Sequence, residues 1–193
     1  MTKKLTVDIT KFFYEIGTLR KIVRSHRQTL LTDDLSDNIA SHTFRVCIIG
    51  MMLAQLEKAN VSKVVLMCLL HDITESRSGD QNWVHKKYVK VFEDEIIKSQ
   101  VKPLPNSKGL LNIIHEYHKR KTKEAQIAKD ADRLDQTLLE NEYTWTGNQE
   151  AKTWGRTNRT SLFSKSAKSL LLEICKQKPS DWWTNGGWSD ERR

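Results

Sequence analysis

One stretch constrains this chain more than any other. The apolar run Val64-Val65-Leu66-Met67-Cys68-Leu69-Leu70 ends abruptly in His71-Asp72, with Glu75 and then Gly79-Asp80 close behind. An imidazole and a carboxylate buried beside an apolar helix are costly unless they are paired, hydrogen-bonded or on a metal. Neighbouring residues on a helix point ~100° apart, so His71 and Asp72 share no face by regular periodicity. They can still converge on one ion from the end of a helix. A helix terminus with Asp72 bonded locally would explain the dipeptide alone, so the rest of the chain must decide.

Helical spacing of apolar residues recurs along the whole chain, and no stretch alternates as a half-buried strand does. Helices are predicted over about 8–24, 38–58, 61–73, 107–121, 122–143 and 161–177, with a further one starting near Trp83 and broken by Pro103 and Pro105. The expectation is an all-α bundle of about six to seven helices. The helix at 38–58 is apolar nearly all round, which makes it central. Trp145 to Thr160 reads as a polar loop, and Trp182-Trp183 as a C-terminal lid on the core. The 193 residues fit a single domain, with a core over about 10–176 and a tail from 177.

A short turn near Asn60 would make the helices at 38–58 and 61–73 antiparallel, setting the start of one beside the end of the other. His42 and Arg45 are the polar residues in the first turns of the earlier helix, so this turn brings His42 to His71-Asp72. In the helix at 122–143, Asp130, Asp132 and Asp135 punctuate a stripe of Ala125, Ala128, Ala131, Leu134 and Leu138. Three such carboxylates usually form a solvated face. Asp132, however, stands beside the core stripe, where an unpaired carboxylate is costly.

In order, His42, His71-Asp72 and Asp132 resemble the H…HD…D signature of the HD-domain metal-dependent phosphohydrolases. His71-Asp72-x-x-Glu75-x-x-x-Gly79-Asp80 is similar to the segment found in the 5′-deoxynucleotidase branch, and Lys129-x-Ala131-Asp132 to that branch's fourth-ligand helix. Trp182-Trp183 resembles the tail of many small members. The resemblance spans roughly residues 10 to 185 and implies an all-helical fold around one divalent ion. It further implies hydrolysis of (deoxy)nucleoside 5′-monophosphates to nucleoside and phosphate. A nucleoside-triphosphate phosphohydrolase or a phosphodiesterase is the alternative on the same scaffold.

Two imidazoles and two carboxylates form a mixed nitrogen and oxygen set that leaves positions open for water and a substrate oxygen. Such a set suits Mn²⁺, Co²⁺, Fe²⁺, Ni²⁺ or Mg²⁺ better than a closed structural zinc site. By this resemblance His42, His71, Asp72 and Asp132 are the metal ligands. Glu75, one turn beyond Asp72, would orient or deprotonate the attacking water, and Asp80 would hold that water or protonate the leaving alkoxide. The two roles are interchangeable at this stage. Arg24 resembles the arginine that grips the substrate phosphate, for which a guanidinium fork is suited. Relatives commonly carry a tryptophan shortly after that arginine. Here His26 and Arg27 stand nearby, and the added cation would suit a more highly phosphorylated substrate. His115 and His118 can face one way on a helix and are candidates for a second metal, though surface histidines explain them as well.

The net charge of +8 favours anionic partners, nucleic acid or phosphorylated metabolites alike. The ligand set points to turnover of a small nucleotide. A binding module for nucleotide or nucleic acid has no need of Glu75 beside a hydrated ion. The three cysteines, Cys47, Cys68 and Cys175, are far apart and read as reduced core thiols. The first residues carry no apolar leader, and no run resembles a membrane span, so a cytoplasmic protein is expected. A homodimer follows from the resemblance and from the frequency of two-fold assemblies.

Overall fold

The structure, a computed structural model, describes residues 2–154 and 161–184. Capping side chains start most of its longer helices by accepting otherwise orphaned N–H groups. Thr2 caps α1 (Lys3–Gly17), which runs into a 3₁₀ turn, Thr18–Lys21, and then the short α2 (His26–Leu30). Asn38 and Ser41 form a reciprocal capping box at α3 (Ile39–Leu56), and Asn60 caps α4 (Val61–Leu70). Three modest helices follow: α5 (Glu75–Ser78), α6 (Trp83–Tyr88), capped by Asn82, and α7 (Glu93–Val101). After α8 (Ser107–Lys119), Thr122 caps α9 (Lys123–Trp145), the longest of the described helices. The chain closes with α10 (Ala151–Trp154), α11 (Lys165–Ile174), capped by Ser164, and α12 (Asp181–Thr184).

The centre is α3, α4 and α9 packed on one another, with α8 and α11 flanking α9. Val46, Leu53, Val64, Met67, Ala128, Ala131 and Leu134 are fully or almost fully buried between them. Each large side chain hidden this way contributes about 1.5–3 kcal/mol. A four-residue link joins α3 to α4, turned by Lys58 in the left-handed region at φ 54°. The helices approach so closely that a Cβ on Gly50 would lie 2.6 Å from the Cys68 sulfur. Glycine is therefore required there, and the close approach sets the start of α3 against the end of α4.

The fold is all-α, as its periodicity indicates, and the only β feature among the described residues is an isolated bridge between Val23 and Asn38. That bridge matters. Arg24 N–H donates to Asp37 carbonyl (2.9 Å) and Ile39 N–H to Ile22 carbonyl (3.0 Å), which ties the segment bearing Arg24 to the start of α3.

Several expectations about extent are corrected. The helices are more numerous and shorter than six to seven long ones. The first runs over Lys3–Gly17 and gives way to 3₁₀ winding before Arg24. The segment from Trp83 is two helices, parted at residues 89–92, where Val89 is extended and β-branched residues favour that conformation. α4 stops at Leu70 rather than Ile73. The predicted loop after Trp145 contains α10, and α11 begins only after Ser164, whose hydroxyl accepts the Ala167 N–H. α3 meets the length and apolarity of a membrane span, but it lies at the centre of this bundle, with one face outward. Phe44, Ile48, Met52 and Leu56 form an exposed apolar stripe at four-residue spacing along that face. Trp182 and Trp183 are 65% and 67% exposed, so they do not cover the core. Of the three free thiols only Cys68 is buried; Cys175 is exposed.

Candidate metal centre

His42, in the first turn of α3, and His71, which ends α4, point their Nε2 atoms at each other across 3.2 Å. Both rings are pinned from behind. His71 Nδ1 bonds to the Cys68 carbonyl (2.7 Å) one turn back along α4, so its proton sits on Nδ1. His42 Nδ1 meets Asp135 Oδ2 at 2.6 Å, and donation to this buried carboxylate fixes the same tautomer. Two Nε2 lone pairs then face one another, and something positive must lie between them.

Two carboxylates complete the ring. Asp72 Oδ2 is 3.0 Å from His71 Nε2 and 3.5 Å from His42 Nε2, and Asp132 Oδ1 is 3.5 Å from His42 Nε2. An octahedral ion with bonds of about 2.1 Å separates adjacent ligand atoms by about 3.0 Å, so this spacing fits a divalent cation. His42, His71 and Asp72 are the group of metal-ligating side chains that converge among the described residues, and Asp132 borders it. In the protein alone, burial and Arg24 push His42 down. The carboxylates Asp132, Asp135 and Asp72 outweigh them and take it up to about 10. Burial works against the charged Asp72 and Asp132. The histidine rings beside Asp72, and Lys129 with His42 beside Asp132, nevertheless hold both below the usual carboxylate range. A proton on His42 thus occupies the place of the cation this anionic ring requires.

The three carboxylates of α9 are not a solvated face. Asp130 is fully buried and accepts from the Phe163 and Ser164 N–H groups (2.8 and 2.7 Å) and the Ser164 hydroxyl, holding the start of α11. Asp132 faces the histidines and is paired with Lys129. Asp135 stands behind His42 and also accepts from Arg45 Nε at 2.5 Å, while Arg45 reaches on to Glu142. Asp135 and Arg45 were not assigned a role by sequence reasoning. The available signal was spacing: three residues past Asp132, Asp135 lies on the same side of the helix.

After Leu70 the chain winds tightly, with bonds from Ile73, Glu75, Ser76 and Arg77 N–H groups to the carbonyls three residues back. Side chains three apart eclipse in such a winding, which stacks Glu75 over Asp72. Glu75 is half-buried, and its buried Oε2 has no hydrogen-bond partner among the described residues. Burial, then Asp72 and Asp80, raises its carboxyl to about 9. Gly79, at φ 68° and ψ 165°, then turns the chain in a way that side-chain-bearing residues resist, and delivers Asp80. Asp80 Oδ2 accepts both the Ser25 N–H (2.6 Å) and the Ser25 hydroxyl (2.8 Å).

Arg24, next to Ser25, is buried. Its Nη1 lies 2.9 Å from His42 Nδ1 and 3.7 Å from Asp135, and its Nε is buried with no hydrogen-bond partner among the described residues. Arg24, Asp72, Glu75, Asp80 and Asp132 all line one cavity of ≈ 600 Å³, whose outer wall carries His26, Trp83 and Trp154. Neither tryptophan was singled out from the sequence for this site. Trp154 meets His26 edge-to-face with ring centroids 4.2 Å apart. Burial first, then Arg24 and His42, lowers His26 to about 2, so the ring is neutral. Arg27 does not extend the cationic wall: it turns away to Asp33 (3.0 Å) and the Thr32 carbonyl. His115 faces Asp94 at 3.2 Å, and neither it nor His118 joins the converging group.

An all-helical bundle that brings two buried histidines and two partly buried aspartates into one ring is what the HD signature describes, and the HD domain profile matches residues 16–171. The chain belongs to the HD domain family. It is 28% identical over 123 residues to the 5′-deoxynucleotidase HDDC2 of Dictyostelium discoideum, a stretch that is 57% of this chain and 64% of that relative. The chain therefore spans just under two thirds of the relative's length. Among solved structures, a conserved hypothetical protein from Pyrococcus furiosus superposes with a TM-score of 0.74 at 20% identity, covering 87% of this chain and 99% of that one. A predicted metal-dependent phosphohydrolase from Magnetospirillum magnetotacticum gives 0.67 at 23% identity, covering 90% and 92%. These two likenesses establish the fold.

Proposed function

We propose that this protein is a metal-dependent phosphomonoesterase that hydrolyses (deoxy)nucleoside 5′-monophosphates to nucleoside and phosphate. The observation that carries the reading is the pair of facing Nε2 atoms, each fixed by its own Nδ1 bond, flanked by Asp72 and Asp132 and open to a cavity walled by Arg24, Trp83 and Trp154. The likeness to a 5′-deoxynucleotidase supports the choice of substrate.

In this reading His42, His71, Asp72 and Asp132 hold one divalent ion, Mn²⁺, Co²⁺, Fe²⁺, Ni²⁺ or Mg²⁺. When bound, such an ion supplies Lewis acidity at a phosphoryl oxygen and acidifies water. The chain's own residues do the rest. Glu75, stacked over Asp72 with an unused carboxyl oxygen, orients the attacking water and in its ionised form takes its proton; a cation on the neighbouring ligands would offset the burial that raises this carboxyl. Asp80, steadied by Ser25, returns a proton to the departing 5′ oxygen. The unpartnered Nε of Arg24 gives the substrate phosphate a donor that is already desolvated. Trp83 and Trp154 offer faces for the sugar and base, and base stacking of this kind is worth about 1–3 kcal/mol. A homodimer would place the stripe of Phe44, Ile48, Met52 and Leu56 at its interface, and a cytoplasmic setting suits the free thiols.

The test is phosphate release from a panel of deoxynucleoside and nucleoside monophosphates by chelator-stripped protein resupplied with each metal. Release that requires metal and disappears in Asp72→Ala is expected. Release that survives Asp72→Ala would refute the assignment.

A further inference from the structure

The cavity described above is one of two that meet at the metal ligands. Asp72, Glu75, Gln81, Lys86, Lys129 and Asp132 line both, as a common floor. Beyond that floor the walls differ in chemistry. The first lobe carries Trp83 and Trp154, whereas the second, ≈ 400 Å³, adds Lys90, His118 and Arg120. Outside the floor, Glu93 is the one carboxylate among the residues lining the second lobe.

Most of this cationic wall is uncommitted. Lys129 is paired with Asp132, which accounts for one cation as a counter-charge to the acidic floor. Among the described residues, Lys86, Lys90 and Arg120 have no carboxylate partner; the Lys90 ammonium instead stands 5.4 Å from the Phe92 ring centroid. Like charges gathered around one concavity repel, and a concave wall focuses their field on whatever enters. A 5′-monophosphate with its nucleoside against the tryptophans and its phosphorus over the floor leaves the second lobe unfilled. The second lobe adjoins the same floor, and its chemistry is that of a phosphate site.

We propose that the second lobe binds a further phosphate attached to the one at the metal centre, so that nucleoside 5′-diphosphates enter the same cleft and bind more tightly than the monophosphates. This rests on the nucleotidase reading for the placement of the first phosphate.

The test uses the full chain loaded with Mn²⁺ and the probe 2′-deoxyadenosine 5′-(α,β-methylene)diphosphate, whose bridging carbon resists hydrolysis. Its binding is read by calorimetry and by competition against dAMP turnover. Charge-assisted contacts to the outer phosphate predict a dissociation constant at least about tenfold below that of dAMP. Lys90→Gln/Arg120→Gln, changing two exposed side chains, is expected to remove about that tenfold while kcat/KM for dAMP stays within about a factor of two. Equal affinity for probe and dAMP would overturn the proposal. So would a parallel loss for both ligands in the variant, or equally strong competition by the dinucleotide d(ApA), which brings a neutral nucleoside to the lobe. Absence of dAMP turnover with every metal would sink the nucleotidase reading instead, and the calorimetric difference between probe and dAMP would still decide the lobe.

Discussion

The two halves of this site are built differently. On one side His42, His71 and Asp132 sit on α3, α4 and α9, the helices that form the core, and both histidines are fixed from behind by a second partner. On the other side Glu75 and Asp80 come from the tight winding and turn between α4 and α6, where the helices are four and six residues long. The helical half assembles a charge and holds it still. The loop half carries the groups proposed to move protons, and its anchors are few: the Asp80–Ser25 bonds and a network in which Arg77, Gln100 and Ser76 converge on Glu15. Rigid ligand geometry and adjustable proton transfer therefore occupy separate pieces of chain, and substitutions should separate them.

The sharpest way to break this division is through the ligands. Asp72→Ala or His71→Ala should abolish metal retention together with phosphate release, lowering turnover by at least about 10⁴-fold because several kcal/mol of Lewis-acid stabilisation go with the ion. Glu75→Gln should lower kcat by about 10²–10⁴-fold while metal content, measured by elemental analysis, stays at the wild-type level. Loss of metal in Glu75→Gln would erase the distinction between the halves. Asp135→Asn keeps every ligand but weakens the hold on His42. It should cost about 10–100-fold in metal affinity, read by calorimetric titration.

Two smaller effects test the reasoning away from the ligands. Asp130→Ala removes three hydrogen bonds at the start of α11 and should lower unfolding stability by about 1–3 kcal/mol, with metal affinity unchanged. His26 gives a pH signature. Its folded value lies near 2 while the unfolded ring titrates near its ordinary value, so between the two the unfolded chain binds the extra proton. Stability therefore falls as pH drops below about 6.5, by at most ~1.4 kcal/mol per pH unit from this group. Denaturant titrations at pH 6 and pH 5 should show a shallower fall in His26→Phe than in the parent chain.

The helical half was readable from the sequence because burial leaves a periodic record. A histidine inside the apolar face of α3, a His-Asp pair ending an apolar run, and an aspartate beside the α9 stripe each violate the pattern of their own helix. The short link near Asn60 then brings the first two together. What was not readable depended on contacts between distant segments. Asp130 and Asp135, which flank Asp132 and look like a solvated face, instead hold α11 and pin His42 from behind. Trp154 reaches the cleft from far along the chain, and Arg27, which looked like part of a phosphate grip, spends its charge on Asp33. The lengths of α1 and α4 were misjudged because 3₁₀ winding preserves an apolar pattern while ending the α-helix. Residues 155–160 of the predicted polar loop, and the tail beyond 184, lie outside the described residues.

The central claim is that one ion, held by His42, His71, Asp72 and Asp132, makes this cleft hydrolytic. Co²⁺ titrated into chelator-stripped protein, with bound metal and phosphate release from dAMP measured on the same samples, tests it most directly. The account predicts release rising in step with occupancy and levelling at one ion per chain, with Asp132→Ala losing both. Phosphate release that persists in the stripped protein, or that is untouched in Asp132→Ala, would contradict it.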